Sequence, residues 1–119
     1  MKVLNHHIYE YQKGLRNLVL HTMDFSYCDQ VIRKLESNKI PYIIRTVTEK
    51  KMNVFFGARE CIEVIESFGN KRLNEFTPEQ DFILGIMLGY SRLQQCNRYL
   101  KLNEKALTRP EEKNLRIVI

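Results

Sequence analysis

The side chains in this 119-residue sequence whose types could do chemistry are three histidines, three cysteines and a few glycines set beside arginines. His6 and His7 are adjacent, and neighbouring side chains diverge on a helix or a strand, so they make a poor two-ligand clip. His21 stands on a run that reads as a strand, and no spaced cysteine pair completes a metal set. An enzymatic site would need His6, His7 and His21 to meet Cys28 or Glu10 in one pocket. Cys28, Cys61 and Cys96 each fall on the apolar side of a predicted helix. There a free thiol behaves as a small hydrophobe, and no activating neighbour accompanies any of them. These patterns yield no catalytic residue, no metal ligand and no cofactor.

Two further groups could bind rather than react. Gly57 separates a strand-like from a helix-like run, with Arg59 in the first turn, where backbone amides could hold a phosphate or carboxylate. No Gly-rich or Gly-Lys-Ser/Thr element supports it, and a space-saving bend is the plainer explanation. Phe55 and Phe56 beside Arg45, Lys50 and Lys51 imitate an aromatic and basic RNA platform. Adjacent residues on a strand point to opposite faces, however, so core packing accounts for the two rings better and nucleic acid is not the expected partner.

The elements that must position these residues can be taken in order. Leu4, Ile8 and Tyr11 recur at helical spacing before Gly14, which predicts a short helix over residues 5–13; an alternating strand through Val3, Asn5, His7, Tyr9 and Tyr11 competes. Residues 16–22 read as a buried strand. Asp24 or Ser26 opens an amphipathic helix that Asn38 and Pro41 stop. Tyr42 to Val47 and Met52 to Phe56 read as a hairpin joined at 48–51, and Cys61 to Phe68 return to helical spacing until Gly69. This β-α-β-β-α core predicts an α+β fold related to the ferredoxin-like sandwich, with strand order 1-3-2 and helices covering one face. Leu115 to Ile119 could add a strand beside the first; the polar, Pro110-containing stretch before it marks residues from about 104 to 119 as a C-terminal extension of one domain.

The most distinctive stretch runs from Glu75 to Asn103 and predicts one long helix over 77–102. Thr77, Pro78 and Gln80 form a capping-box start. Phe82, Ile86, Gly89, Leu93, Cys96 and Leu100 then follow at spacings of four, three, four, three and four, along one seam. Gly85 and Gly89 each cost a helix interior roughly 1 kcal/mol relative to alanine, so their spacing suggests that another backbone comes close. Such a helix would be roughly 37 Å long. A compact domain of this size has a radius of gyration of only about 13 to 14 Å, so the helix would overhang it. Phe82, Gly85, Ile86, Gly89 and Leu93 are therefore the candidate dimer or close-packing residues.

The net charge is +5, and its excess is C-terminal: 12 basic and 11 acidic residues up to position 91, then 7 and 3. Arg92, Arg98, Lys101 and Lys105 form a candidate basic face for an acidic partner. Three scattered cysteines suit a reducing cytoplasm, and the longest strongly apolar run, Phe82 to Tyr90, is nine residues, too short to span a membrane.

Asn-His-His-Ile-Tyr-Glu at residues 5–10, Gly-Leu-Arg-Asn-Leu-Val-Leu-His-Thr at 14–22, and Phe-Thr-Pro-Glu-Gln-Asp-Phe-Ile-Leu-Gly-Ile-Met-Leu-Gly-Tyr at 76–90 resemble a family of small bacterial proteins, the domain of unknown function numbered 2023. The resemblance covers nearly the whole chain. It implies a three-stranded α+β homodimer but no activity, with members encoded beside a flavodoxin, an acidic flavin-carrying protein that a basic surface would suit. The expectation is a cytoplasmic, non-enzymatic homodimeric interaction or regulatory protein assembled through the 77–102 helix. The alternative is a redox-accessory or small-molecule-binding protein that meets flavodoxin through its basic face.

Overall fold

A computed structural model describes residues 1–106; the expected strand at 115–119 lies outside the described residues, as does most of the 104–119 extension. Helix α1 spans Lys2–Gln12 and buries Leu4 and Ile8, so the helical spacing prevails over the alternating one. Gly14, at φ 76°, turns the chain into strand β1, Leu18–Asp24. The Asp24 carboxylate accepts from the Ser26 amide at 2.9 Å and opens a short 3-10 turn into helix α2, Cys28–Ser37. Strands β2, Tyr42–Thr46, and β3, Lys51–Gly57, make the expected hairpin, and helix α3 covers Arg59–Ser67. The fold is α+β.

The three strands form an antiparallel sheet in the order β1-β3-β2, which is the expected order. β3 lies in the centre and is buried from Met52 to Gly57. Its side chains alternate between two separate cores. Met52, Val54 and Phe56 join Val19 and Met23 of β1 beneath α1 and α2, through Leu4, Ile8, Val31 and Leu35. Phe55 joins Leu18 on the opposite face beneath α3, through Ile62 and Ile65.

The expectation that helices cover one face is therefore corrected. A strand apolar toward both sides has to be covered on both, and α2 and α3 lie on opposite faces rather than together as in a ferredoxin-like sandwich. Phe55 and Phe56 each fill one core. At the end of β3, a Cβ on Gly57 would overlap the Asn17 carbonyl, so the glycine admits a close backbone approach.

The single helix over 77–102 is the second correction. Helix α4 spans Pro78–Met87, and its start is as expected: the Thr77 hydroxyl accepts from the Gln80 amide and the Gln80 side chain accepts from the Thr77 amide, both at 3.1 Å. The helix then stops in a Schellman turn. Gly89 adopts φ 84°, its amide donates to the Ile86 carbonyl at 3.0 Å, and the Tyr90 amide donates to the Gly85 carbonyl at 3.1 Å. Ser91, whose hydroxyl accepts from the Gln94 amide at 3.4 Å, restarts the chain as helix α5, Arg92–Ala106.

α5 folds back antiparallel on α4. The Phe82 and Tyr99 rings meet edge to face with centroids 5.7 Å apart, and Gln95 covers Gly85 so closely that a Cβ there would overlap its side-chain carbonyl. The backbone approach expected at Gly85 is corrected: what meets it is the Gln95 side chain of α5 in the same chain, while Gly89 is a turn residue with nothing within 4 Å of a Cβ.

Gly89→Ala separates the two geometries by sign. In a continuous helix alanine would add roughly 1 kcal/mol of stability. At a left-handed turn it should instead cost about 1–2 kcal/mol, read as a lower urea midpoint with unchanged m-value.

Candidate functional site

Two arrangements gather the residues that could act: a polar cluster where α1 meets β1, and the outer surface of the α4–α5 hairpin. In the first, Glu10 is the hub. Its carboxylate lies 3.6 Å from His6 Nε2, 3.5 Å from His7 Nδ1 and 3.7 Å from an Arg16 nitrogen. The Arg16 guanidinium also lies 3.1 Å from His7 Nδ1. A guanidinium only donates, so in that contact His7 Nδ1 carries a lone pair and the proton of the neutral ring sits on Nε2.

The His7 and His21 rings lie 5.2 Å apart because odd-numbered residues of β1 face α1. Helix and strand thus bring His6, His7, Glu10 and His21 together, while Cys28 packs elsewhere against the core under α2. Among the described residues no group of three or more histidine, cysteine or acidic side chains is placed to hold a metal ion. Burial, then the neighbouring His7 and the N-terminal amine, pull the His21 pKa below its ordinary value of 6.5.

At the other sequence-derived sites the structure is specific. Gly57 donates its amide to the Pro41 carbonyl at 3.1 Å, and Ala58 donates to the Asn17 carbonyl at 2.8 Å. These two amides, just before the helix, are committed within the chain; the first turn of α3, from Arg59, receives no side-chain cap, and Arg59 is exposed. Cys61 is partly buried under α3, and burial followed by the Glu60 charge raises its thiol pKa, which disfavours the thiolate a nucleophile needs.

On the hairpin, Arg98 of the candidate basic face is exposed and paired with an acid of its own chain. Its guanidinium donates to both oxygens of Asp81, at 2.7 and 3.0 Å, tying α5 to the first turn of α4, and the carboxylate raises its pKa further. Arg92 and Lys101 remain exposed, and the Lys105 side chain lies outside what the structure describes. The seam divides at the turn. Phe82 and Ile86 stay half-buried on α4, while Leu93, 72% exposed, Cys96, and Leu100, 57% exposed, form a stripe along α5. Glu79, Phe82, Ile83, Cys96, Tyr99 and Leu100 line a mainly apolar groove of about 490 Å³ between the helices.

A family model described as a protein of unknown function, DUF2023, matches residues 2–102. The chain belongs to the DUF2023 family. The matched span takes in the whole sheet, all of α4 and most of α5, so both the histidine cluster and the hairpin groove of this DUF2023 protein lie within it. No curated protein matches the chain. No helix of the described DUF2023 residues is long and apolar enough to cross a membrane.

The histidine cluster generates a pH dependence whose sign is fixed by the lowered His21 pKa. The unfolded chain takes up a proton near pH 6.5, before the folded chain does, so stability is fully present above that value and is lost as pH falls through the folded pKa. His7 and the N-terminal amine are the charged neighbours that bear on it. His21→Gln should flatten the fall in melting temperature between about pH 7.5 and about pH 5.5, by a few °C at most because the ring is only partly buried. Superimposable profiles for the two proteins would remove His21 from the account.

Proposed function

We propose that this DUF2023 protein is a non-enzymatic interaction protein that forms a homodimer by packing its α4–α5 hairpin against that of a second copy. The observation that carries this reading is the stripe of Leu93, Cys96 and Leu100 on the open side of α5, running beside the apolar groove. Residues spaced by three and four along one helix are what helix-on-helix packing uses, and two such hairpins make a four-helix arrangement. A two-fold interface has to be self-complementary, and this surface supplies both parts: a recess lined by Phe82, Ile83, Tyr99 and Leu100, and Leu93, exposed outside it. Covering each leucine fully is worth about 1.5–3 kcal/mol relative to leaving it in water. The polar histidine cluster, whose charged groups are satisfied by one another, supports a structural role for that end of the molecule. Three free cysteines suit work in a reducing cytoplasm.

A second reading, an acidic partner such as flavodoxin met through Arg92, Arg98, Lys101 and Lys105, has Arg92 and Lys101 as its exposed unpaired cations among the described residues, with Arg98 shared with Asp81. A titration against an acidic protein at low and high salt separates it from self-association, because only the charge-driven contact is screened.

The homodimer is tested by sedimentation velocity. The protein should sediment as a dimer at tens of micromolar, and the double variant Leu93→Glu, Leu100→Glu should sediment as a monomer with its far-UV circular dichroism retained. A wild-type chain that stays monomeric over that range would overturn the proposal.

A further inference from the structure

The face of the sheet under α3 changes character toward one end. Its apolar cross-strand row of Leu20, Phe55 and Ile43 is followed by Thr22, Asn53 and Arg45, which occupy paired positions on β1, β3 and β2. Asn53 is only 8% exposed, in the middle of the central strand, among Met52, Val54, Phe55 and Phe56. An amide there has low strand propensity and costs stability unless its polar atoms find partners. The Thr22 hydroxyl meets one end of it at 2.6 Å.

Beyond this row the loop 69–77 borders an open cavity of about 590 Å³ beside the sheet, within the size range of small-molecule sites. Asn53 and Arg45 lie on its strand side, with Phe55 between them and the core, and Lys71, Arg72 and Leu73 lie on its loop side.

The cavity is electrostatically one-sided. Arg45, Lys71 and Arg72 line it against a single carboxylate, Glu75, which is already engaged in accepting from the Arg72 amide at 3.0 Å. Two of the basic groups, Arg45 and Lys71, are braced. The Arg45 guanidinium donates to the Lys71 carbonyl at 3.1 Å, and Lys71 Nζ donates to the Gln80 side chain at 3.2 Å, which fixes the loop beside the sheet. A guanidinium has five N–H donors, so this bond leaves most of them unspent. Cationic donors around a floor that is half apolar suit a ligand with a negative head and an apolar body. We infer that the cavity between the Thr22–Asn53–Arg45 row and loop 69–77 is a binding site for a small organic anion, its phosphate or carboxylate held by Arg45 and Asn53 and its body resting on Val47 and Leu73.

The test uses the full chain and four probes: phenyl phosphate, benzoate, inorganic phosphate and neutral benzyl alcohol. Amide chemical shifts of residues 45, 53 and 70–75 should move saturably with phenyl phosphate or benzoate, the responding arm identifying the head group, and not with benzyl alcohol. Inorganic phosphate, lacking the apolar body, should bind at least about tenfold more weakly. Asn53→Asp is nearly isosteric and still accepts the Thr22 hydroxyl, yet it places a negative charge in the site; it should weaken binding by at least about tenfold. Arg45→Met should do the same, and wild-type-like amide spectra in either variant establish that the fold is kept. Absence of saturation up to about 10 mM, or an affinity unchanged in both folded variants, would overturn the inference.

Discussion

Strand β3 has no wet face, and the rest of the molecule follows from that. Met52, Val54 and Phe56 on one side and Phe55 on the other all have to leave water, so a single helical layer cannot close the domain. The chain meets the requirement with helices drawn from both ends: α1 and α2 on one side, α3 and α4 on the other. Placing β3 between β1 and β2 also satisfies its backbone on both edges, which suits the most buried strand to the centre. The Gly57 bend belongs to the same constraint, because the strand can leave the sheet only by passing close to the Asn17 carbonyl.

The two faces are closed differently, and the difference creates both candidate surfaces. α1 and α2 place Leu4, Ile8, Val31 and Leu35 on their face, all nearly inaccessible. On the other face α4 contributes Leu84 and Leu88, then ends in the Schellman turn. Beyond this cover the row from Thr22 to Arg45 is polar, and loop 69–77 borders it instead of a helix. A helix laid over the whole face would have required apolar residues at Asn53 and Arg45. The polar row and the incomplete helical cover are therefore two sides of one feature.

Local signals made much of this fold legible. The hairpin, the Thr77 capping box and the apolar positions Val31, Leu35, Ile62 and Ile65 depend on neighbours within a few residues, and they lie where periodicity places them. The helix break was harder to read because Ile86, Gly89 and Leu93 keep helical spacing across it, and glycine in a helix costs only about 1 kcal/mol. The useful signal was the combination of Gly89 with Ser91: a left-handed stop followed two residues later by an N-cap. The Gly85–Gln95 contact had no such local sign, since it exists only once α5 has folded back. The cavity likewise needed the strand register, although one asparagine within Met52–Phe56 was its visible trace.

The energetics of α5 bear most directly on assembly. Helices of about 12–15 residues are marginal alone in water, and α5, Arg92–Ala106, is of that length. Its ties to α4 are the close fit of Gln95 on Gly85, the Phe82–Tyr99 contact and the Arg98–Asp81 pair. The last of these joins a largely exposed arginine, and such pairs contribute about 1 kcal/mol or less. Leu93 and Leu100, which a stable helix would use as anchors, remain largely in water, Leu100 lining the groove with Phe82 and Tyr99. A second hairpin laid along that stripe would bury the leucines and supply the packing that α5 lacks within one chain. On this account dimerisation and the order of α5 are linked: the same contact that joins two copies also holds the helix, so weakening one should weaken the other.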